Sequence, residues 1–281
     1  MNTLKTTALL AFLTAILILA GQAFGGRQGM QLALLMAAGM NFFSYWFSDK
    51  IVLAMHHAKP VSQNEAPELH AIVQGLCARS GLPMPKLYVL PAEAPNAFAT
   101  GRNPSHAAVA VTQGLLRLMD REEVEGVVAH ELAHIRNRDN LLSSIAATLA
   151  GALMMLARMG QFAMIFGGHG GSRDERGNGG GAIGMLLTII LAPLAAMLIQ
   201  MAISRSREYQ ADATAASMVG HPNGLARALE KLGRYSGQIP LQTSPAASHM
   251  FIVQPLTGGA LLSLFSTHPP VKERIRRLLG R

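Results

Sequence analysis

A single cysteine, Cys77, stands in the 281 residues, which rules out an internal disulfide and any metal site built from several thiolates. It reads as a small core residue and suits a reducing compartment. Charge is scarce too. Only 14% of residues are charged and 5% aromatic, against 50% hydrophobic, and mean hydropathy is positive. That balance is wrong for an ordinary soluble domain of this length, so a bilayer is expected to solvate part of the chain. The net charge of +8 could suggest nucleic acid, but Lys and Arg are dispersed, with no interleaved aromatics and no recognisable reading module. A cytoplasmic face beside anionic lipid accounts for the same excess.

Residues 6–26 carry no charge, and residues 28–48 form a second uncharged stretch after Arg27 alone. Each is long enough to span, and the second stretch argues against a cleaved signal peptide. The expectation is a transmembrane hairpin over residues 1–50. Tyr45 and Trp46 fall where an interfacial belt would lie, and Lys5 before the hairpin and Lys50 and Lys59 after it put both ends in the cytoplasm. Residues 140–166 and 182–203 are again apolar, joined by the Gly-rich GGHGGSRDERGNGGG. They read as a second hairpin, although Arg158 and Pro193 leave open a pair of long helices buried in protein. The GxxxG spacings at Gly21 and Gly25, and at Gly180 and Gly184, are too common in such segments to indicate a dimer.

Between and after these stretches the sequence has ordinary charge density, so a folded domain in two halves is expected, residues 51–140 and 204–281. Apolar spacing predicts helices over 67–80, stopped by Gly81 and Pro83, and over 205–219, 222–235 and 270–279. Alternation predicts strands over 86–90 and 106–112, followed by a short helix at 113–119. Residues 236–259, low in charge and rich in Pro, Ser and Gly, read as a mobile loop.

One stretch carries chemistry. VVAHELAHIRNRD, residues 127–139, contains His130, Glu131 and His134 in the pattern H-E-x-x-H. Residues four apart share a helix face, so both imidazoles can grip one ion while Glu131 borders it as general base. Asp120 and Glu123 have capping-box spacing, and Val124, Val127, Val128, Ala129 and Leu132 give the helix an apolar side. The competing reading is a buried helix with two core histidines. A catalytic zinc takes three protein ligands and leaves one position open, so a third must come from elsewhere. SRSREYQAD, residues 204–212, offers Glu208 with Asp212 one turn on, able to bond the free nitrogen of a zinc histidine. Spacing alone leaves Glu208 equally a surface carboxylate paired with Arg205 or Arg207.

HELAHIRNRD, SRSREYQAD, PNAFATG at 95–101 and FSTHPPVKERI at 265–275, set among paired hydrophobic stretches, resemble the HtpX family of membrane-bound zinc metalloproteases in the M48 group. The resemblance runs over essentially the whole chain. It implies a mainly α fold with a small β-sheet (an α+β zincin-like domain) plus four transmembrane helices in two hairpins. It makes Glu208 the expected third ligand of one Zn2+ per chain, beside His130 and His134. It also implies an endopeptidase of the bacterial inner membrane whose catalytic domain faces the cytoplasm and cuts misfolded membrane proteins under stress. Residues 106–112 are the expected edge strand for an extended substrate. Asn96 is a candidate to hold a substrate carbonyl, or else a turn residue capping local backbone. His268 is a candidate oxyanion donor, or else an ordinary loop-to-helix junction. Two other classes compete: a zinc-binding membrane adaptor that holds clients uncut, which would not need Glu131, and a metal transporter, which would need charges within its spans. A soluble peptidase would differ only in its solvent.

Overall fold

The structure, a computed structural model, describes residues 2–146, 148–149, 205–235, 252 and 269–280. The Gly-rich connector, the fourth apolar stretch and His268 lie outside the described residues.

Helix α1 (Asn2–Met55) breaks only at Gly26, whose φ of 56° and ψ of −144° leave the helical region. Such a φ is tolerated by glycine and strained for other residues. The chain folds back there. Asn41 Nδ2 donates to Thr14 Oγ1 across the two arms at 2.9 Å. Nearer the bend Gly21 and Gly29 meet so closely that a Cβ on either would strike the other's carbonyl oxygen. The segment expected as a transmembrane hairpin over residues 1–50 is thus a helix folded back on itself, whose second arm runs past residue 50 and docks on the sheet. Among the described residues no helix is long and apolar enough to cross a membrane. Most of the third apolar stretch and all of the fourth lie outside the described residues.

The sheet has four strands in the order β1 (Lys59–Pro60), β2 (Lys86–Leu90), β4 (Ala107–Thr112), β3 (Ala97–Gly101). β1 and β2 are antiparallel, β2 and β4 parallel, β4 and β3 antiparallel. The helices are α2 (Pro67–Ser80), α3 (Gln113–Leu118), α4 (Arg121–Asn137), α5 (Arg205–Val219), α6 (Asn223–Tyr235) and α7 (Val271–Leu278). This is the expected mainly helical fold with a small sheet. Two sequence readings change. Residues 104–106 form a 3-10 turn before β4 rather than its first residue. Residues 97–101 are a strand that local pattern did not reveal, because β3 is Ala-rich and buried along its whole length instead of alternating.

One sheet face packs with α2, α4, α5 and α6 around Val73, Leu76, Val109, Val111, Val127 and Leu229. The other receives the end of α1, where Val52 and Leu53 cover Leu90, Phe98 and Ala110. α4 runs through the middle. Asp120 accepts from the Glu123 N–H and Glu123 returns the bond to Asp120 N–H, the reciprocal cap that the spacing predicts. Glu123 is buried there and also receives Lys231 Nζ of α6 at 2.6 Å. Gly126 of α4 and Gly224 of α6 bring the backbones together so tightly that a Cβ at either would overlap the facing chain. After Arg138, in the left-handed region at φ 57°, the chain is helical again over 140–146. Leu142, Ile145 and Leu149 are buried, and Ser144 Oγ pairs with Thr100 Oγ1 of β3 at 2.8 Å. The third apolar stretch thus begins inside the protein.

Candidate metal centre

His130 and His134 sit one turn apart on the buried side of α4, with their Nε2 atoms 3.2 Å apart. Each ring is held from behind by a carboxylate. Asp212 Oδ1 of α5 lies 3.0 Å from His130 Nδ1, and Asp139 Oδ2 lies 3.3 Å from His134 Nδ1. Those partners favour a proton on each Nδ1, which leaves two Nε2 lone pairs facing one another. A divalent cation between them would be ligated by both; in its absence a proton shared between the two Nε2 atoms takes that place. Glu208 completes the triangle, with Oε2 3.7 Å from His130 Nε2 and Oε1 3.6 Å from His134 Nε2. Two ligand atoms about 2 Å from one tetrahedral ion stand about 3.3 Å apart, so all three spacings fit a single divalent metal. Among the described residues these three are the grouping able to hold an ion. Glu208 is only 6% exposed, which removes its helix-surface reading.

Arg274 of α7, 1% exposed, is the residue that sequence reasoning passed over. Its Nε and Nη2 donate to Asp212 Oδ2 and Oδ1 at 2.9 and 2.7 Å, and its Nη1 lies 3.6 Å from Glu208 Oε2. Its signal was in view, in the VKERI of the last motif, but nothing local links it to residue 212. Burial works against the Asp212 carboxylate, yet Arg274 outweighs it, helped by His130, and holds the group at about 2. Burial likewise opposes a charged His130, while the Asp212 and Glu208 carboxylates lift it to about 9. Burial raises Glu131 above the usual carboxylate range, against the pull of both histidines and, more weakly, of the nearby Ala99 backbone N–H. A buried carboxylate with a raised pKa beside a metal triangle is equipped to take up a proton and give it back.

The sheet order corrects the expected substrate edge. Residues 106–112 cannot offer a free edge, since β4 lies between β2 and β3 with both sides paired. β3 is the outer strand and stands against α4. Asn96 O accepts the Thr112 N–H, so in the antiparallel ladder Ala97 and Ala99 turn their backbone groups to the outer side. Asn96 lies just before β3. It does not cap a local turn: its Oδ1 accepts the N–H of Ile252, 156 residues away, and its Nδ2 is buried with no partner among the described residues. Ile252 belongs to the stretch expected to be mobile, yet it is buried, and its carbonyl also accepts Arg274 Nη1 at 3.0 Å.

Residues 63–281 match peptidase family M48. A protein named Protease HtpX homolog from Desulfatibacillum aliphaticivorans is 61% identical over 279 residues, covering 99% of this chain and 89% of that one. Namesakes from Syntrophobacter fumaroxidans and Thermococcus sibiricus are 58% and 54% identical, over 98% of this chain and 97% and 94% of theirs. Among solved structures, the crystal structure of S. mikatae Ste24p matches with a TM-score of 0.50 at 20% identity. That likeness is one of fold; it takes in 96% of this chain, which spans 62% of the length of the other. With strands β2, β3 and β4, the paired-histidine helix and the carboxylate-bearing helix all inside the matched region, and relatives alike nearly from end to end, the chain belongs to peptidase family M48, among its HtpX members.

Proposed function

We propose that the protein is a zinc-dependent endopeptidase of the bacterial inner membrane, with one zinc per chain and its catalytic half facing the cytoplasm. Its substrates are misfolded or damaged membrane proteins, and its setting is the stress response. The observation that carries the chemistry is the pair of Nε2 atoms 3.2 Å apart with Glu208 facing both and Glu131 buried alongside. Relatives named as proteases support the same reaction. For the membrane, the support is exposed apolar bulk on the hairpin, where Leu19, Leu32, Leu35 and Phe43 are all more than half exposed.

Zinc at His130, His134 and Glu208 supplies Lewis acidity, which makes water a nucleophile near neutral pH and polarises a peptide carbonyl. Glu131 takes the proton from the attacking water and passes it to the leaving amide nitrogen. Its raised pKa suits both transfers. Asp212, clamped by Arg274, fixes the tautomer of His130, and Asp139 does the same for His134. An extended substrate lies along the outer edge of β3, gripped by backbone hydrogen bonds. The buried Nδ2 of Asn96, which has no partner among the described residues, donates to a substrate carbonyl, and His268 to the developing oxyanion.

The test is cleavage of a casein-like unfolded substrate by detergent-purified protein with zinc, with chelator and as Glu131→Gln. Glu131→Gln should retain zinc and lose about 10²- to 10⁴-fold in turnover. Zinc bound without cleavage under any condition would make the protein a client-holding adaptor instead.

A further inference from the structure

Away from the metal centre, a cavity of about 710 Å3 opens between the second arm of α1 and the sheet. Its wall is two-sided in chemistry. Phe42 and Trp46 of α1, both about half exposed, supply an apolar flank continuous with the lipid-sized bulk of the hairpin. Lys50, Lys86 and Arg102 gather at the same opening, against one acidic residue, Asp49. None of the three cations has an ion-pair partner among the described residues. The Arg102 guanidinium rests over the Trp46 ring at 4.8 Å and the Lys50 ammonium over Phe47 at 5.4 Å. Arg79, Arg117, Arg227, Lys231 and Arg274, by contrast, all meet carboxylates. Cations parked on aromatic faces, beside an apolar groove, form a receptor for a ligand with a negative head and a greasy body.

We propose that this cavity binds an anionic phospholipid, its phosphate held by Lys50, Lys86 and Arg102 and its acyl chain laid along Phe42 and Trp46. The proposal rests on the membrane reading above. The volume falls within the range of small-molecule sites and is sufficient for a head group and the start of a chain. Three cations against one carboxylate select an anionic head over a zwitterionic one. Lys50 and Trp46 belong to the hairpin while Lys86 and Arg102 flank strands of the sheet, so a bound lipid ties the hairpin to the catalytic half.

Trp46 is the only tryptophan in the chain, so its fluorescence reports on this site alone. The full-length protein, in nanodiscs, is titrated with acyl-brominated phosphatidylglycerol and, separately, acyl-brominated phosphatidylcholine. Brominated phosphatidylglycerol should quench Trp46 with at least about fivefold preference, and Lys50→Gln/Lys86→Gln/Arg102→Gln should abolish that preference while zinc binding is unchanged. Equal quenching by the two lipids, or a preference that survives the triple change, overturns the site but leaves the membrane reading standing. No quenching by either, with protein released by alkaline carbonate, overturns both. Glycerol phosphate alone should neither shift the emission nor displace the lipid; if it does both, the site takes a soluble phosphate ester and the lipid proposal fails.

Discussion

At His130 two demands oppose each other. Burial favours a neutral ring, and the carboxylates of Asp212 and Glu208 favour a charged one and prevail, lifting the metal-free group to about 9. A metal must displace that proton to bind. Apparent zinc affinity, measured in chelator-buffered titrations, should therefore climb about tenfold per pH unit from pH 6.5 and level off near pH 9. The metal-free chain should behave oppositely. A pKa raised on folding adds stability that is complete below about 6.5 and is lost as pH rises through 9, so its melting temperature should fall over that window. Arg274 offers a second test. Arg274→Ala takes both guanidinium bonds from the buried Asp212 and leaves it only the His130 ring, and breaking such a pair costs about 3–5 kcal/mol in denaturant unfolding. Arg274→Lys should recover only part of it, because an ammonium cannot span both carboxylate oxygens.

Two elements set the geometry around these groups, α4 and β3. α4 is held at its start by the Asp120–Glu123 cap and along its side by close approach to α6. Gly126→Ala would force the Leu225 backbone away and should cost about 1–3 kcal/mol, read as a lower melting temperature. β3 matters for its outward N–H groups. Proline is tolerated on an edge strand where the missing N–H faces away from its neighbour. Ala99→Pro should therefore preserve the sheet and bound zinc while removing the outward N–H near Glu131, lowering kcat about 10- to 100-fold. A variant with normal kcat would mean that Glu131 is positioned by α4 alone.

Across the whole molecule, the catalytic half and the hairpin form one packed body, since Val52 and Leu53 of α1 complete the core on the second sheet face. Among the described residues most of the exposed large apolar side chains belong to α1, while paired charges such as Arg227 with Glu122 lie on other elements. Sodium carbonate extraction of membranes containing the protein should leave it in the pellet; release into the supernatant would sink the membrane reading and leave the metal centre untouched. The burial of Leu142, Ile145 and Leu149 shows that the chain after α4 first serves the core of the protein.

The features legible in the sequence are those set within a turn or two of helix. The stop of α2 at Gly81, the cap of α4, the two histidines on one face and the Glu208–Asp212 pair on α5 all depend on partners no more than four residues away. The tertiary structure alone decided what depends on distant partners. Strand order is one case: alternation marked residues 106–112 as a strand, but a strand's own pattern does not say which neighbours pair with it, and β4 proved interior with β3 outside. The clamp of Arg274 on Asp212 spans 62 residues, and the bond from Ile252 to Asn96 spans 156. Nothing in the local spacing encodes such contacts. They form because a buried charge or amide must find whichever partner packing brings near, and that partner is chosen by the whole fold.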